Sequence, residues 1–505
     1  MKQFFFLITL LVTQITYSQW EQVGTTLEGA VNGGFFGIEI ALSDNGQVMA
    51  VGDSPRFSVT APNPVTIYQR DGNQWIQTTQ IFNDFTEFPE QFGRALAISD
   101  NGKRLVIGTT RPNSTLGKIQ VYENQNGDWV KMGNDIINDT SVQGEFFGKA
   151  VAMNGNGLVI ATSDPTIATG AAKVFGFQNG NWQQIGDELG NREDKDDSFF
   201  GSSLDLSDDG NTLVVGIAQA FTGNGTVEIY RNIRGSWRQI GSPIPGKFDF
   251  GQFGANVAIT GDGRRLAISA HSNNFSRSYV EVYEISKNGF KQVGQLLQNL
   301  PFSFVQNFGV GLDISNDGSV LAIGDIRTIN DDDFIFDIGS AYLYQLSKQN
   351  KISPKVNTNG NWKLIQEIRG TQENEFLGNR VRLNDSGSLL VVAAEGYRNS
   401  SFANVGAVRT YKNTTTVSEP KKSFKNFVSL YPNTFDSNVN LRFTENSTSD
   451  VLVKIIDYKG EIVQEASFQK NNTVTIPTNS ITNGIYFVQV SDDTGNYATL
   501  KAIKQ

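Results

Sequence analysis

The stretch FGIEIALSDNGQVMAVGD, Phe36 to Asp53, is nearly repeated as FGRALAISDNGKRLVIGT from Phe92. Five more copies follow, so that the central glycines are Gly37, Gly93, Gly148, Gly201, Gly254, Gly309 and Gly378. Their spacings are 56, 55, 53, 53, 55 and 69 residues, and in the last copy Leu377 takes the place of the Phe. Within a copy the aliphatic residues alternate, as in Ile40 and Leu42 or Leu204 and Leu206, with Ala41, Ala97, Ala152 and Ala258 between them. Period two is a strand. SDNG or SDDG then supplies Asn-Gly or Asp-Gly, which tolerate the positive φ of a tight hairpin, and a second strand such as VMAVG or TLVVG follows. A third strand (KIQVY, TVEIY, YVEVY) leads through another glycine turn to an aromatic at Trp75, Trp129, Trp182, Trp237, Phe290 or Trp362. Four strands repeated at a fixed period near fifty residues are the mark of a β-propeller, one blade per copy. Seven copies predict seven blades and an all-β fold.

The third strand of the last copy, GAVRTYKN, has no aromatic after it, whereas QWEQVG at Gln19 to Gly24 matches NWQQIG at Asn181 to Gly186. The N-terminal strand is therefore expected to serve as the fourth strand of the seventh blade. Closing the ring in this way removes exposed sheet edges. The Phe of each copy is expected to wedge between neighbouring blades, with the following glycine letting backbones crowd near the axis.

Composition agrees with this. The chain has 505 residues, 51 Gly against 13 Pro, 35 Phe and 14 Tyr, which favour turns and strands. A net charge of −9 without a Lys/Arg run argues against a nucleic-acid partner. The start, MKQFFFLITLLVTQITYSQW, pairs Lys2 with an apolar run from Phe4 to Val12 and small residues up to Ser18, and reads as a signal peptide over residues 1–18. Beyond it, no segment approaches the roughly 20 apolar residues of a transmembrane helix. Without cysteine, disulfide stapling is excluded. These features point to a propeller over residues 19–415, a polar linker over 416–425 and a separate module over 426–505.

The Phe-Gly start, SDNGQVMAVG and VYEN resemble the FG-GAP-type blades shared with integrin α propellers, over Gln19 to about Asn413. Calcium-binding members of that family carry spaced carboxylates between the first two strands. The turns LSDNGQ and LSDDGN are too short to wrap a cation with six or more oxygens. No cofactor is expected, although acidic loop runs such as Arg192 to Asp197 allow weak Ca²⁺ binding.

The last module alternates as short strands, FVSLY, VNLRF, VLVKIID, TVTIP and GIYFVQV among them, at the spacing of an immunoglobulin-like sandwich. It is similar to the C-terminal sorting domain of the type IX secretion system. The resemblance rests on Tyr431-Pro432-Asn433, DYKG at Asp457 to Gly460, TNGIYFVQV around Gly484 and Tyr486, and the terminal LKAIK containing Lys501. Thr434 departs from it, standing where the family usually has a second proline. The resemblance implies partnership with the type IX machinery and a secreted or outer-membrane cell-surface protein. In the alternative, any adhesion module ends in such strands, and Lys501 and Lys504 solubilise an edge.

No catalytic motif is present. The only histidine, His271, reads as an exposed loop residue. Glu39, Asp205 and Asp313, with Arg380 and Arg382, interrupt small positions of first strands and are expected to line the central channel. Glu39 with Arg380, and Asp313 with Arg382, share registers in adjacent blades, which suggests ion pairs between blades rather than a hydrolytic carboxylate pair. The longer loops after strands two and four carry Phe85, Phe88, Phe221, His271, Phe275, Phe336 and Tyr397 as a possible ligand face. A non-enzymatic binding or adhesion protein for an extracellular glycan or protein is expected. The alternatives are a propeller lyase or glycosidase acting on extracellular polysaccharide, or a structural surface or matrix protein.

Overall fold

The computed structural model describes residues 20–53, 64–83, 91–110, 117–137, 147–164, 170–190, 199–218, 223–249, 251–271, 277–286, 289–298, 307–328, 337–347, 361–401, 404–414, 428–432, 434–443, 451–457, 462–468, 473–479, 481–492 and 497–505. The chain divides into two compact units, Met1–Thr414 and Thr415–Gln505.

The described part of the first unit is all-β: seven antiparallel sheets of four or five strands, arranged as in a propeller. Sheet 1 runs Glu39–Leu42, Val48–Gly52, Val65–Asp71, Gln74–Ile81 from inside to outside, and the others repeat that order. The first strands touch in sequence from sheet 1 to sheet 7, and that of sheet 7, Leu377–Leu383, touches Glu39–Leu42. The contacts thus close a ring. In sheet 7 the outermost strand is Trp20–Glu28, antiparallel to Ala407–Asn413 with Trp20 opposite Asn413. In sheets 2, 3 and 4 the outer strand is broken into two short pieces that both pair with the third strand.

Seven apolar clusters fill the spaces between neighbouring sheets, each built from both. The motif Phe is the wedge. Phe92 packs on Ala50, Val65 and Ile67 of sheet 1, and Phe36 on Leu389, Val391 and Val408 of sheet 7. Leu377 does the same against sheet 6 and is fully buried, which is why an aliphatic residue is tolerated in that copy. The outer tryptophans add hydrogen bonds to the preceding sheet. Trp75 Nε1 donates to Thr410 Oγ1 at 2.8 Å and Trp182 Nε1 to the Met132 carbonyl at 2.8 Å. Trp20 is likewise buried, 5 % exposed, in the cluster between sheets 6 and 7, but its Nε1 has no hydrogen-bond partner among the described residues.

All seven motif glycines have positive φ, from 78° at Gly93 to 99° at Gly309, so an L side chain there is strained as well as crowded. After this residue the ladder slips: in sheet 2, Phe92 faces Thr109 but Ala95 faces Gly108. Such a bulge re-aims side chains at the rim of a ring. The turn differs from the expected hairpin geometry in one respect. Only its glycine, Gly46 or Gly210 for example, has positive φ; the preceding Asn or Asp instead accepts a hydrogen bond, as Asp209 does from the Asn211 amide at 2.8 Å.

The second unit contains two sheets around one core. Val428–Tyr431, Asn438–Phe443 and Thr473–Pro477 form one, and Thr434–Phe435, Tyr497–Lys504, Gly484–Asp492, Val451–Asp457 and Ile462–Phe468 the other. Val439, Leu441, Val453, Val488 and Val490 alternate into the shared interior.

Candidate functional site

Counting from each motif glycine shows how the sequence lines the axis. The bulge lets the first two residues after it both reach the channel: Arg94 and Lys149 one residue on, Glu39, Asn256 and Arg380 two residues on. Four residues on, sheets 1, 2, 3 and 5 place Ala41, Ala97, Ala152 and Ala258, and sheets 4, 6 and 7 the charged Asp205, Asp313 and Arg382. Seven residues on come Asp44, Asp100, Asp208, Asn316 and Asp385.

The wide mouth is a cavity of about 720 Å³. It holds Arg94, Lys149, Arg380, Arg382, Glu39 and His271. Glu39 is clasped between the two arginines of sheet 7, with Arg380 Nε at 2.7 Å and Arg382 at 2.8 Å. The expected Glu39–Arg380 pair therefore forms, but Arg382 joins it rather than pairing with Asp313. Asp313 instead accepts the Ile314 amide at 3.0 Å and the Leu383 amide at 2.6 Å. Asp205 does the same with Leu206 and Ile259, at 2.9 and 2.7 Å. Each of these carboxylates ties its own strand to the first strand of the next sheet. Burial pushes Asp205 up to about 7 and Asp313 up to about 6, against the lowering effect of these amides and of Arg382.

His271 follows the second strand of sheet 5, Arg265–Ala270, as expected, but it stands at the channel wall half-buried rather than exposed, with Nδ1 lacking a hydrogen-bond partner among the described residues. Burial, and then Arg380, lower its pKa to about 4, so the imidazole is neutral at physiological pH. At Lys149, burial and then Arg94 lower the pKa as well.

The opposite end is acidic. The turns there form a hydrogen-bonded circuit: Asp100 donates to Gly155, Gly155 to Asp208, Asp208 to Gly261, Gly261 to the Asn316 side chain, Asn316 to Asp385 and Asp385 to Asp44, between 2.7 and 3.1 Å. Asn45 closes it on the Asp100 carbonyl at 3.4 Å. Asp44, Asp100 and Asp208 each bring one ligand oxygen to within 4.8 Å of the others. These are hard oxygen donors of the kind Ca²⁺ or Mg²⁺ takes. Burial and mutual repulsion push Asp44 up to about 8 and Asp100 up to about 6, and burial foremost raises Asp208. The sequence missed this cluster because each turn alone is too short for a cation. Its signal was the acid recurring seven residues after the motif glycine.

Among the expected ligand-face residues, Tyr397 is half-buried; its hydroxyl donates to Glu28 at 3.3 Å and Arg409 lies 5.4 Å from its ring centre. It thereby ties the outer strand of sheet 7 to the loop after the second. Phe85, Phe88, Phe221, Phe275 and Phe336 lie outside the described residues, as do the acidic run at 192–197 and the linker at 416–425. The structure adds Phe199, 44 % exposed at the wide mouth, which the sequence reading passed over.

In the second unit, Tyr431 is exposed, Pro432 follows a cis peptide bond, and Asn433 lies outside the described residues. Tyr486 is buried, its hydroxyl donating to the Thr482 carbonyl at 2.7 Å, while Gly484 pairs with Lys504. Lys501 is exposed opposite Phe487. Lys504 is not an edge solubiliser: it is 8 % exposed, with Phe435, next to it in the pairing strand, 5.9 Å from Nζ.

Residues 429–505 match the family described as the secretion system C-terminal sorting domain. The protein is secreted or held at the cell surface, and its tail addresses it to the type IX machinery. No helix among the described residues is long and apolar enough to cross a membrane. No curated protein matches the chain. Among solved structures, hydrazine synthase of Kuenenia stuttgartiensis is similar at 13 % identity and a TM-score of 0.46, covering 73 % of this chain and 94 % of that one. A protein from Lactobacillus plantarum gives 13 % and 0.45, covering 85 % and 99 %. The Dos1 propeller gives 11 % and 0.40, covering 79 % and 95 %. At these values the similarities say nothing of activity.

Proposed function

We propose that the protein is a seven-bladed propeller of FG-GAP type, carried out of the cell by an immunoglobulin-like sorting tail, that binds an extracellular glycan or protein without turning it over. The observation that carries this reading is the fate of the channel carboxylates. Glu39 is neutralised by Arg380 and Arg382, and Asp205 and Asp313 each spend both oxygens on backbone amides. Carboxylates so engaged brace neighbouring sheets, whereas a hydrolytic pair needs two that face a cleft and are open to substrate at roughly 5 to 10 Å. A rigid ring presenting a polar cavity is a scaffold for recognition.

The second reading, an enzyme acting on polysaccharide, draws on the raised pKa values of Asp205 and Asp313, since a carboxyl poised near neutrality suits a general acid. One experiment separates the two. The purified protein is screened on an array of glycans and matrix proteins, and every hit is incubated and assayed for product release. Binding without chain cleavage is the expected result. Cleavage abolished by Asp205→Asn replaces the binding reading with the enzymatic one.

A further inference from the structure

The lining of the wide mouth divides by charge. Its charged side chains come from sheets 1, 2, 3 and 7, and each already has an interaction partner. Glu39 is held by Arg380 and Arg382, and Arg94 donates to Gln91 Oε1 at 2.8 Å. Among the described residues, sheets 4, 5 and 6 bring no charged side chain to the wall, since His271 is neutral there. The cavity of about 720 Å³ lies within the roughly 300–1,000 Å³ typical of small-ligand sites.

The uncharged arc is braced by its own polar groups and keeps others to spare. Ser202 and Ser203 both donate to the Gly254 carbonyl, at 3.3 and 2.8 Å, and so fasten sheet 4 to sheet 5. Asn256 Nδ2 donates to the Gly309 and Val310 carbonyls at 3.0 and 3.1 Å, fastening sheet 5 to sheet 6. Its Oδ1, like the Gln252 side-chain amide, makes no hydrogen bond with a described residue. Phe199 is the apolar element. It stands two residues before the motif glycine, where its φ of 77° is matched by 55° at Phe35, 50° at Gln252 and 55° at Phe376. Phe35 and Phe376 are half-buried there, with Arg327 lying 5.9 Å from the Phe376 ring centre. Phe199 is instead 44 % exposed at the cavity. A left-handed backbone is costly for a bulky residue, and such conformations gather at binding sites.

We infer that the wide mouth holds an uncharged saccharide against sheets 4 and 5, one sugar ring on Phe199 and its hydroxyls on Gln252, Asn256 and His271. This rests on the binding reading above and names the ligand class and the site. A pyranose offers an apolar C–H face to an aromatic ring, and hydroxyls that both donate to and accept from amide and imidazole groups. An anion gains no charge pairing on this arc. A wholly apolar ligand would strip water from Gln252 and Asn256 and leave them unpaired. The backbone contacts of Ser202, Ser203 and Asn256 hold the wall in place, so little ordering is needed when the ligand enters.

The test is calorimetric titration of the purified full chain with neutral tetrasaccharides of glucose, galactose and mannose and with a uronic-acid tetrasaccharide, each at low and at high salt. At least one neutral tetramer is expected to bind, more tightly than the acidic one and with an affinity that salt does not change. Phe199→Ala should weaken it roughly tenfold and Gln252→Ala roughly threefold, for the loss of one stacking and one hydrogen-bonding partner. Phe199→Tyr, which keeps the ring, should bind as the unaltered protein does. Phe82→Ala removes a similarly exposed phenylalanine outside the cavity and should change nothing. Neutral binding untouched by Phe199→Ala and Gln252→Ala in folded variants overturns the site. Tighter binding of the acidic tetramer overturns the ligand class. Failure of the neutral tetramers beside other hits on the array overturns the inference alone and leaves a binding protein standing. Failure of all probes together with a blank array overturns the binding reading too.

Discussion

At the residue scale, charge burial is the feature that most clearly links a single side chain to stability. Asp53 directly follows the second strand of sheet 1, is 8 % exposed, and has an Oδ1 with no hydrogen-bond partner among the described residues. Burial pushes its pKa up to about 7 from 3.8. Between those values the folded chain holds a proton that the unfolded chain has released, so stability falls as pH rises through that window. Asp53→Asn is therefore expected to stabilise the propeller unit at pH 8, by at most about 4 kcal/mol, and to change little at pH 3.5, where both states carry the proton. Urea titrations at the two pH values measure this; equal effects at both would refute the burial account. His271 works in the opposite sense. Its folded pKa of about 4 lies below the ordinary 6.5, so its contribution is present above pH 6.5 and is lost as pH falls towards 4.

At the scale of the element, the strand Trp20–Glu28 carries more than its length suggests. It covers the outer edge of sheet 7 along Ala407–Asn413, places Trp20 in the cluster between sheets 6 and 7, and accepts a hydrogen bond from Tyr397 through Glu28. Burying one tryptophan contributes on the order of 3 kcal/mol, and an open sheet edge also invites pairing with other chains. Deleting residues 20–24 should lower the unfolding temperature of the propeller unit by several degrees and increase its aggregation. Scanning calorimetry with light scattering checks both. A temperature equal to that of the intact protein would show that the strand is dispensable.

At the scale of the whole molecule, the two units have separate tasks. The tail has its own sheets and core, and its match to the sorting family spans 429–505. A reporter fused ahead of residues 426–505 and led by a signal peptide should leave a cell that has the type IX machinery. Periplasmic retention of that fusion would show that the tail needs help from the propeller. Replacing buried Tyr486 by Ala should reduce export by loosening the core, because its ring and its bond to Thr482 are both lost.

The repeats themselves determined much of this. Phe-Gly followed by period-two alternation and Ser-Asp-Asn-Gly imposed a strand, a positive-φ bend and a turn wherever they occurred. The misplaced Trp20 foretold the pairing of the N-terminal strand with the third strand of the last sheet. Local chemistry sufficed there because each copy meets the same neighbours. The channel was only half legible. Glu39, Asp205, Asp313, Arg380 and Arg382 stood out as charges at small positions, but which atoms they would meet depended on how neighbouring sheets are offset, and Arg382 turned to Glu39 rather than Asp313. Arg94 and Lys149, Phe199, and the gathering of Asp44, Asp100 and Asp208 were decided by tertiary structure alone. Residues some fifty positions apart share an axis only once seven sheets have closed around it, and no local pattern records which side chains then face each other.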